Sequence, residues 1–253
     1  MSERDSNQNT QNKVALITGG VRRIGAEIAT LLHNEGFRLA LHYRNSRTEA
    51  KALQEKLNAI RADSVVLIQA DLHITKGLHA LVKSTLESFS QLDVVINNAS
   101  SFYPTPVAKA TEDDWDDLMG SNLKAPFFLA QAAAPALKKS NGCIVNIVDI
   151  HSQNPLKAHP IYCMAKAGLA MMTKSLAKEM GPEVRVNGVS PGAILWPEND
   201  MDELTQQRIV SRSFLKRQGS PSDIAQTVLF LVTKAPFITG QIIAVDGGRS
   251  LNG

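Results

Sequence analysis

Short, continuous apolar runs recur along the chain, separated by longer stretches in which apolar residues return every three or four positions. VALIT at 14–18, LALHY at 39–43, VVLIQA at 65–70, DVVINN at 93–98, IVNIV at 144–148, VRVNGVS at 184–190 and IIAVD at 242–246 are rich in Val, Ile and Leu and do not alternate with polar residues. That is how strands buried on both faces read, and helical segments between them supply the crossovers that parallel pairing requires. The pattern predicts an α/β fold: a single doubly wound domain over residues 13–253, with a seven-stranded parallel sheet and helices on both faces. No Pro/Gly/Ser-rich linker and no internal repeat divides it. Residues 1–12, MSERDSNQNTQN, are polar throughout and predict a disordered arm that is neither a signal peptide nor an anchor.

Composition narrows the function classes. At 253 residues and 43% hydrophobic the chain can bury a large core. Its net charge is only +3, and the basic residues are scattered rather than gathered into a stripe, so no nucleic acid partner is expected. No apolar stretch approaches the roughly 18 residues that span a bilayer, so no membrane partner is expected either. Cys143 and Cys163 are the only cysteines and match no metal spacing, which predicts no disulfide framework, no metal site and a reducing, cytoplasmic setting.

After the first run comes Thr18-Gly19-Gly20-Val21-Arg22-Arg23-Ile24-Gly25, leading into the helical pattern AEIATLLHNEG. A glycine turn between strand and helix lets backbone N–H groups and the positive helix end face a pyrophosphate, the Rossmann-type arrangement. An ordinary βα turn is the plainer alternative. The second run ends in His42-Tyr43-Arg44-Asn45-Ser46-Arg47, where an acid would grip the ribose 2′-hydroxyl of NAD. An Arg fork and a Ser hydroxyl suit a 2′-phosphate instead, so the expected cofactor is NADPH. Asp71-Leu72, after the third run, can meet the adenine edge or cap the next helix.

Tyr162 and Lys166 stand four apart in a helical pattern and so share a face. A neighbouring ammonium stabilises phenolate, and on that basis the tyrosine pKa is expected to fall, making Tyr162 a usable proton donor. The Thr-Gly loop, Asn97-Asn98-Ala99, Asn122, Tyr162-x-x-x-Lys166 and Pro191-Gly192 together resemble the short-chain dehydrogenase/reductase family over nearly residues 13–250. The resemblance implies that Lys166 also holds the nicotinamide ribose and that Asn122 serves a proton relay. It further implies that Asn97, Asn98, Ala99 and Ser100, with Pro191, Gly192 and Ile194, line the cofactor, and that the chain forms a homotetramer.

Two departures from that family narrow the substrate. Arg23 replaces a usual third glycine, and Asp149 replaces a usual serine thirteen residues before the tyrosine. A carboxylate repels a developing alkoxide, whereas a C=N nitrogen needs a proton that a carboxyl–Tyr162 pair can relay. With NNASSFYPTP, these features resemble the pteridine reductases, including the bacterial dihydromonapterin reductase branch. The resemblance implies NADPH-dependent reduction of a dihydropterin, with oxidised pterin and dihydrofolate as further candidates. It marks Arg23, Ser100, Phe102, Asp149, Tyr162 and Trp196 as substrate contacts and 193–217 as a flexible substrate loop. Phe102 is read as a stacking platform, with a core role as the alternative. The competing functions are a carbonyl reductase of the 3-oxoacyl-thioester or sugar type and a non-catalytic NADP-binding module. His151 and His159 are read as loop histidines.

Overall fold

In β1 (Val14–Ile17), Ala15 and Ile17 enter one hydrophobic core while Val14 and Leu16 enter another, all four fully buried. Burial on both faces is why the run carries no polar alternation. The computed structural model describes residues 10–194 and 202–251. The further strands are β2 (Arg38–Tyr43), β3 (Val65–Gln69), β4 (Val94–Asn97), β5 (Cys143–Ile147), β6 (Arg185–Pro191) and β7 (Ile242–Val245). All pairings are parallel, in the order β3-β2-β1-β4-β5-β6-β7. The helices are α1 (Arg23–Asn34), α2 (Arg47–Ile60), α3 (Thr75–Phe89), α4 (Glu112–Met119), α5 (Ala125–Ser140), α6 (Pro160–Met180), α7 (Glu203–Ser211) and α8 (Pro221–Thr233).

Ile28 and Leu32 of α1, Leu57 of α2, and Ile224, Val228 and Leu231 of α8 cover one face of the sheet. Leu78 and Leu81 of α3, Leu129 and Leu137 of α5, and Ala177 of α6 cover the other. The expected doubly wound single domain is therefore what the chain forms. Because β1 pairs with β2 on one side and β4 on the other, the winding reverses between β1 and β4. In such sheets that reversal opens a crevice beyond the carboxyl ends of the two strands, where ligands bind.

Three local features differ from the sequence expectation. The end of the polar arm is fastened rather than loose: Asn12 N–H donates to Gly36 O, and the Arg38 guanidinium donates to Asn12 O. Within the 193–217 segment, residues 203–211 form α7, whose first turn is capped by Asp202 accepting from Thr205 N–H. Between α4 and α5 the chain widens into a π turn, Gly120–Lys124, an irregularity that periodicity alone does not announce. Residues 1–9 of the arm and Trp196 lie outside the described residues. Among the described residues no helix is long and apolar enough to cross a membrane.

Candidate active site

Thr18 fastens the two strands that flank the crevice. Its hydroxyl donates to Ile96 O and accepts from the N–H groups of Asn98 and Ala99 at 3.0 and 3.1 Å. Asn98 returns the contact, its amide donating to Thr18 O and Gly19 O. The glycine loop is consequently packed too closely for side chains: a Cβ on Gly25 would lie 2.2 Å from Gly19 O and 2.6 Å from Asn98 Nδ2. At Arg23 the backbone is left-handed (φ 53°), a region that favours glycine and costs another residue roughly 1–2 kcal/mol. That accounts for the usual glycine of the family, and the exception puts an exposed guanidinium at the lip of the crevice. The α1 N-terminus has no side-chain cap and no acid in its first turn. Its orphan N–H groups, with the Arg22 and Arg23 cations beside them, fit the pyrophosphate of a dinucleotide.

At the far end of the crevice Arg44 and Asn45 are exposed and Ser46 is half-buried at the start of α2. Arg44 lies 3.6 Å from Asp71, and Arg22 lies 3.8 Å from Glu49. Arg44 thus stands exposed just beyond the carboxyl end of β2. His42 and Tyr43, expected beside the nucleotide, are buried instead. His42 Nδ1 accepts from Gly19 N–H at 3.1 Å while Nε2 donates to Ala70 O at 3.1 Å, so both ring nitrogens are used in bracing the loop from beneath. Burial holds the His42 pKa below the usual histidine range, which keeps the acceptor nitrogen unprotonated. Asp71 accepts from His73 N–H and so caps the turn before α3, and Leu72 packs on the second core. Pro191 ends β6, Gly192 N–H donates to Val245 O, and the Ile194 side chain is buried in the first core. The Asn97 side chain, expected at the cofactor, donates to Asn146 Oδ1 inside the protein.

The reacting end gathers Asp149, Tyr162, Lys166, Asn122, Ser100 and Phe102. Asp149 follows β5 in extended conformation, with Oδ1 accepting from His151 N–H and Oδ2 accepting from the Tyr162 hydroxyl at 2.8 Å. Lys166, one turn along α6 from Tyr162, donates to Ile147 O at 2.9 Å, with Nζ 5.7 Å from the Tyr162 ring centre. Burial pushes the Lys166 pKa down to about 8, against the pull of the Asp149 charge. The tyrosine moves opposite to expectation: burial and then the Asp149 carboxylate raise its pKa well above 10, with Ser100 acting weakly the other way. Tyr162 is therefore held as the protonated donor, and the ammonium does not reverse that.

Asn122 sits in the π turn, fully enclosed. Its Oδ1 accepts from Ser100 at 2.6 Å and its Nδ2 donates to Ser101 O and Leu118 O. Phe102 is half-exposed rather than core, edge-on to Tyr162 at 4.8 Å. Its ring stacks at 4.8 Å and 11° on His159, so His159 belongs to the site although its sequence surroundings do not mark it. The same surroundings hide Arg249, whose C-terminal turn is tied to the 150–154 turn by Asn154 donating to Ser250 O. Arg249 lies within electrostatic reach of Asp149, and burial lowers its pKa from the usual arginine range. No local pattern links residues 149 and 249; only the fold does.

A family described as enoyl-(acyl carrier protein) reductase matches residues 19–250. "Pteridine reductase 1" of Leishmania tarentolae is 35% identical, covering 94% of this chain and 96% of its own length. The 3-oxoacyl-acyl-carrier-protein reductase FabG of Staphylococcus aureus is 38% identical, covering 93% and 97%, and the corresponding reductase of Synechocystis is 35% identical, covering 93% and 96%. The chain belongs to the short-chain dehydrogenase/reductase family, whose reductases use NAD(P)H, and is an oxidoreductase of that family.

Proposed function

We propose that this protein reduces a dihydropterin to the tetrahydro form with NADPH. The observation that carries the reading is the 2.8 Å hydrogen bond from Tyr162 to a carboxylate, Asp149, at a position where the family's carbonyl reductases use a serine hydroxyl. When bound, the nicotinamide supplies the hydride. The chain's own groups manage the proton and the pose. Tyr162 and Asp149 share a proton-bearing contact at the place where a C=N nitrogen has to be protonated. Burial and the Asp149 charge keep that proton on Tyr162 until a reaction draws it. Phe102, backed by His159, offers its remaining face to a planar heterocycle, and Ser100, oriented by Asn122, offers a hydroxyl at the same edge. Arg23, at the lip of the crevice, can contact both a phosphate and a ring oxygen. The Arg44 fork favours NADPH over NADH. The likeness to a pteridine reductase supports this reading.

The likeness to 3-oxoacyl-acyl-carrier-protein reductases at similar identity supports a second one, reduction of a 3-oxoacyl thioester. Initial rates of NADPH oxidation with dihydrobiopterin, dihydromonapterin, dihydrofolate and a 3-oxoacyl thioester separate the two. The expected result is turnover of a pterin, with kcat/KM lowered by about 100-fold or more in Asp149→Ala and Tyr162→Phe, the scale of a lost acid–base group. Rapid turnover of the thioester with the pterins untouched overturns the proposal in favour of the second reading.

A further inference from the structure

Asp71 can meet the adenine edge or cap a helix, and nothing in the sequence marks His73. The structure puts His73 at a junction between the ends of the crevice. Its Nδ1 lies 2.9 Å from Asp71 Oδ1, and the other Asp71 oxygen lies 3.6 Å from Arg44 at the nucleotide end. Its Nε2 faces Asp117 of α4, 3.1 Å from the backbone oxygen and 3.2 Å from Oδ1. Both ring nitrogens thus face acceptor oxygens.

The ring also rests on the chain beyond Asp117. A Cβ on Gly120 would come within 2.7 Å of His73 Cδ2, so residue 120 is held against the Cδ2 edge of the imidazole by the absence of a side chain. Gly120 opens the π turn that carries Asn122, and Asn122 orders Ser100 and Ser101 at the reacting end. Tyr103, two residues on, feels the Asp117 charge; burial, then Asp117, pushes its pKa up to about 12. A continuous chain of contacts therefore runs from Arg44 through Asp71, His73 and Asp117 to the segment Ser100–Tyr103.

We propose that His73 is a positioning residue that couples occupancy of the Arg44 site by a 2′-phosphate to the order of the Ser100–Tyr103 segment. An anion at Arg44 competes with Asp71 for the guanidinium. The carboxylate, losing that partner, leans harder on His73, and the ring is drawn against Asp117 and Gly120. The groups facing His73 are Asp71 and Asp117, with Arg44 beyond the first and Asp114 and Tyr103 beyond the second. Coupling of this kind is reciprocal, so an ordered substrate segment also favours the phosphorylated dinucleotide. The proposal rests on the cofactor reading and not on the identity of the substrate.

Hydrogen exchange of the full chain, measured free, with NAD+ and with NADP+, tests it without turnover. Both dinucleotides should protect residues 19–25, while NADP+ alone should slow exchange across 100–103 and 117–124, by about fivefold, the lower end of ordinary couplings. In His73→Leu, NADP+ should still protect 19–25, with a dissociation constant within about threefold of the wild type, yet the extra protection at 100–103 and 117–124 should vanish. His73→Gln, which keeps one donor, should retain part of it. Asp117→Asn, which keeps the acceptor oxygen and removes the charge, should weaken it in the same direction. Equal protection at 100–124 by NAD+ and NADP+ in the wild type, or unchanged protection in His73→Leu, overturns the coupling. Absence of NADP+ protection at 19–25 overturns the cofactor reading and the coupling together.

Discussion

Lys166 is buried completely enough that its charge is costly, and its one hydrogen-bond partner among the described residues is a carbonyl, Ile147 O. With a folded pKa of about 8 against an ordinary 10.5, the unfolded chain binds more protons between those values. Stability contributed through Lys166 therefore rises as pH climbs from about 8 to 10.5, because the burial penalty is relieved. Activity should move the other way, since a neutral amine loses the charge at the Tyr162 ring. The expected kcat/KM profile falls on its alkaline side with an apparent pKa near 8, and this limb belongs to Lys166 because Tyr162 titrates well above 10. A pH series on wild type and Lys166→Met checks the assignment. The variant should be slow and flat across the same window; an alkaline limb that survives unchanged in it would assign the titration elsewhere.

At the scale of elements, the position of α6 matters most, because it carries both Tyr162 and Lys166. A buried amide chain holds it to the sheet: Asn97 of β4 donates to Asn146 of β5, and Asn146 donates to Thr173 of α6, at 2.8 and 2.9 Å. Asn146 is fully enclosed, so replacing it with Leu strands the Asn97 amide in a dry interior, while the Thr173 hydroxyl keeps its bond to Leu169 O. Loss of roughly 1–3 kcal/mol is expected, from one orphaned polar group. Denaturant unfolding of Asn146→Leu should show that loss with an unchanged m value; a loss under about 0.5 kcal/mol would mean the chain is dispensable. The strands themselves were legible because burial on both faces leaves an unbroken apolar run, and the glycine loop was legible because close approach excludes Cβ atoms. The tyrosine–lysine pair was legible because a helix repeats every three to four residues. The π turn, the His159 stack on Phe102, the His73 junction and the approach of Arg249 to Asp149 were not. The π turn is a local irregularity that apolar periodicity does not announce, and each of the others joins residues far apart in sequence whose types are ordinary in loops. His42 shows the same limit from the other side, since its place at the end of β2, beside suggestive loop residues, hid a bracing role that only burial reveals.

At the scale of the whole molecule, the outer faces of α4, α5 and α6 are unusually apolar. Trp115, Phe127, Met164 and Met171 are all exposed, and Met164 and Met171 stand two turns apart on one stripe of α6. The opposite face of α6 is committed to the second core through Ala177 and Met180, so the exposed stripe is not needed to hold the monomer together. The edge strand β7 is also only partly covered, with Phe230 and Phe237 exposed nearby. Apolar patches of this kind on one monomer fit burial between copies, and two separate patches fit two kinds of two-fold contact, as a homotetramer requires. Light scattering after size exclusion should give four times the chain mass at micromolar concentration. Phe127→Glu combined with Met171→Glu should reduce that to two times, since burying the two carboxylates unpaired is far costlier than losing the apolar contact. Because α6 carries Tyr162 and Lys166, the dimeric variant should also lose activity in proportion to its loss of order at that helix. A monomeric wild type, or a double variant that stays tetrameric, would remove the helical face from the assembly and leave the β7 edge as the surface to test.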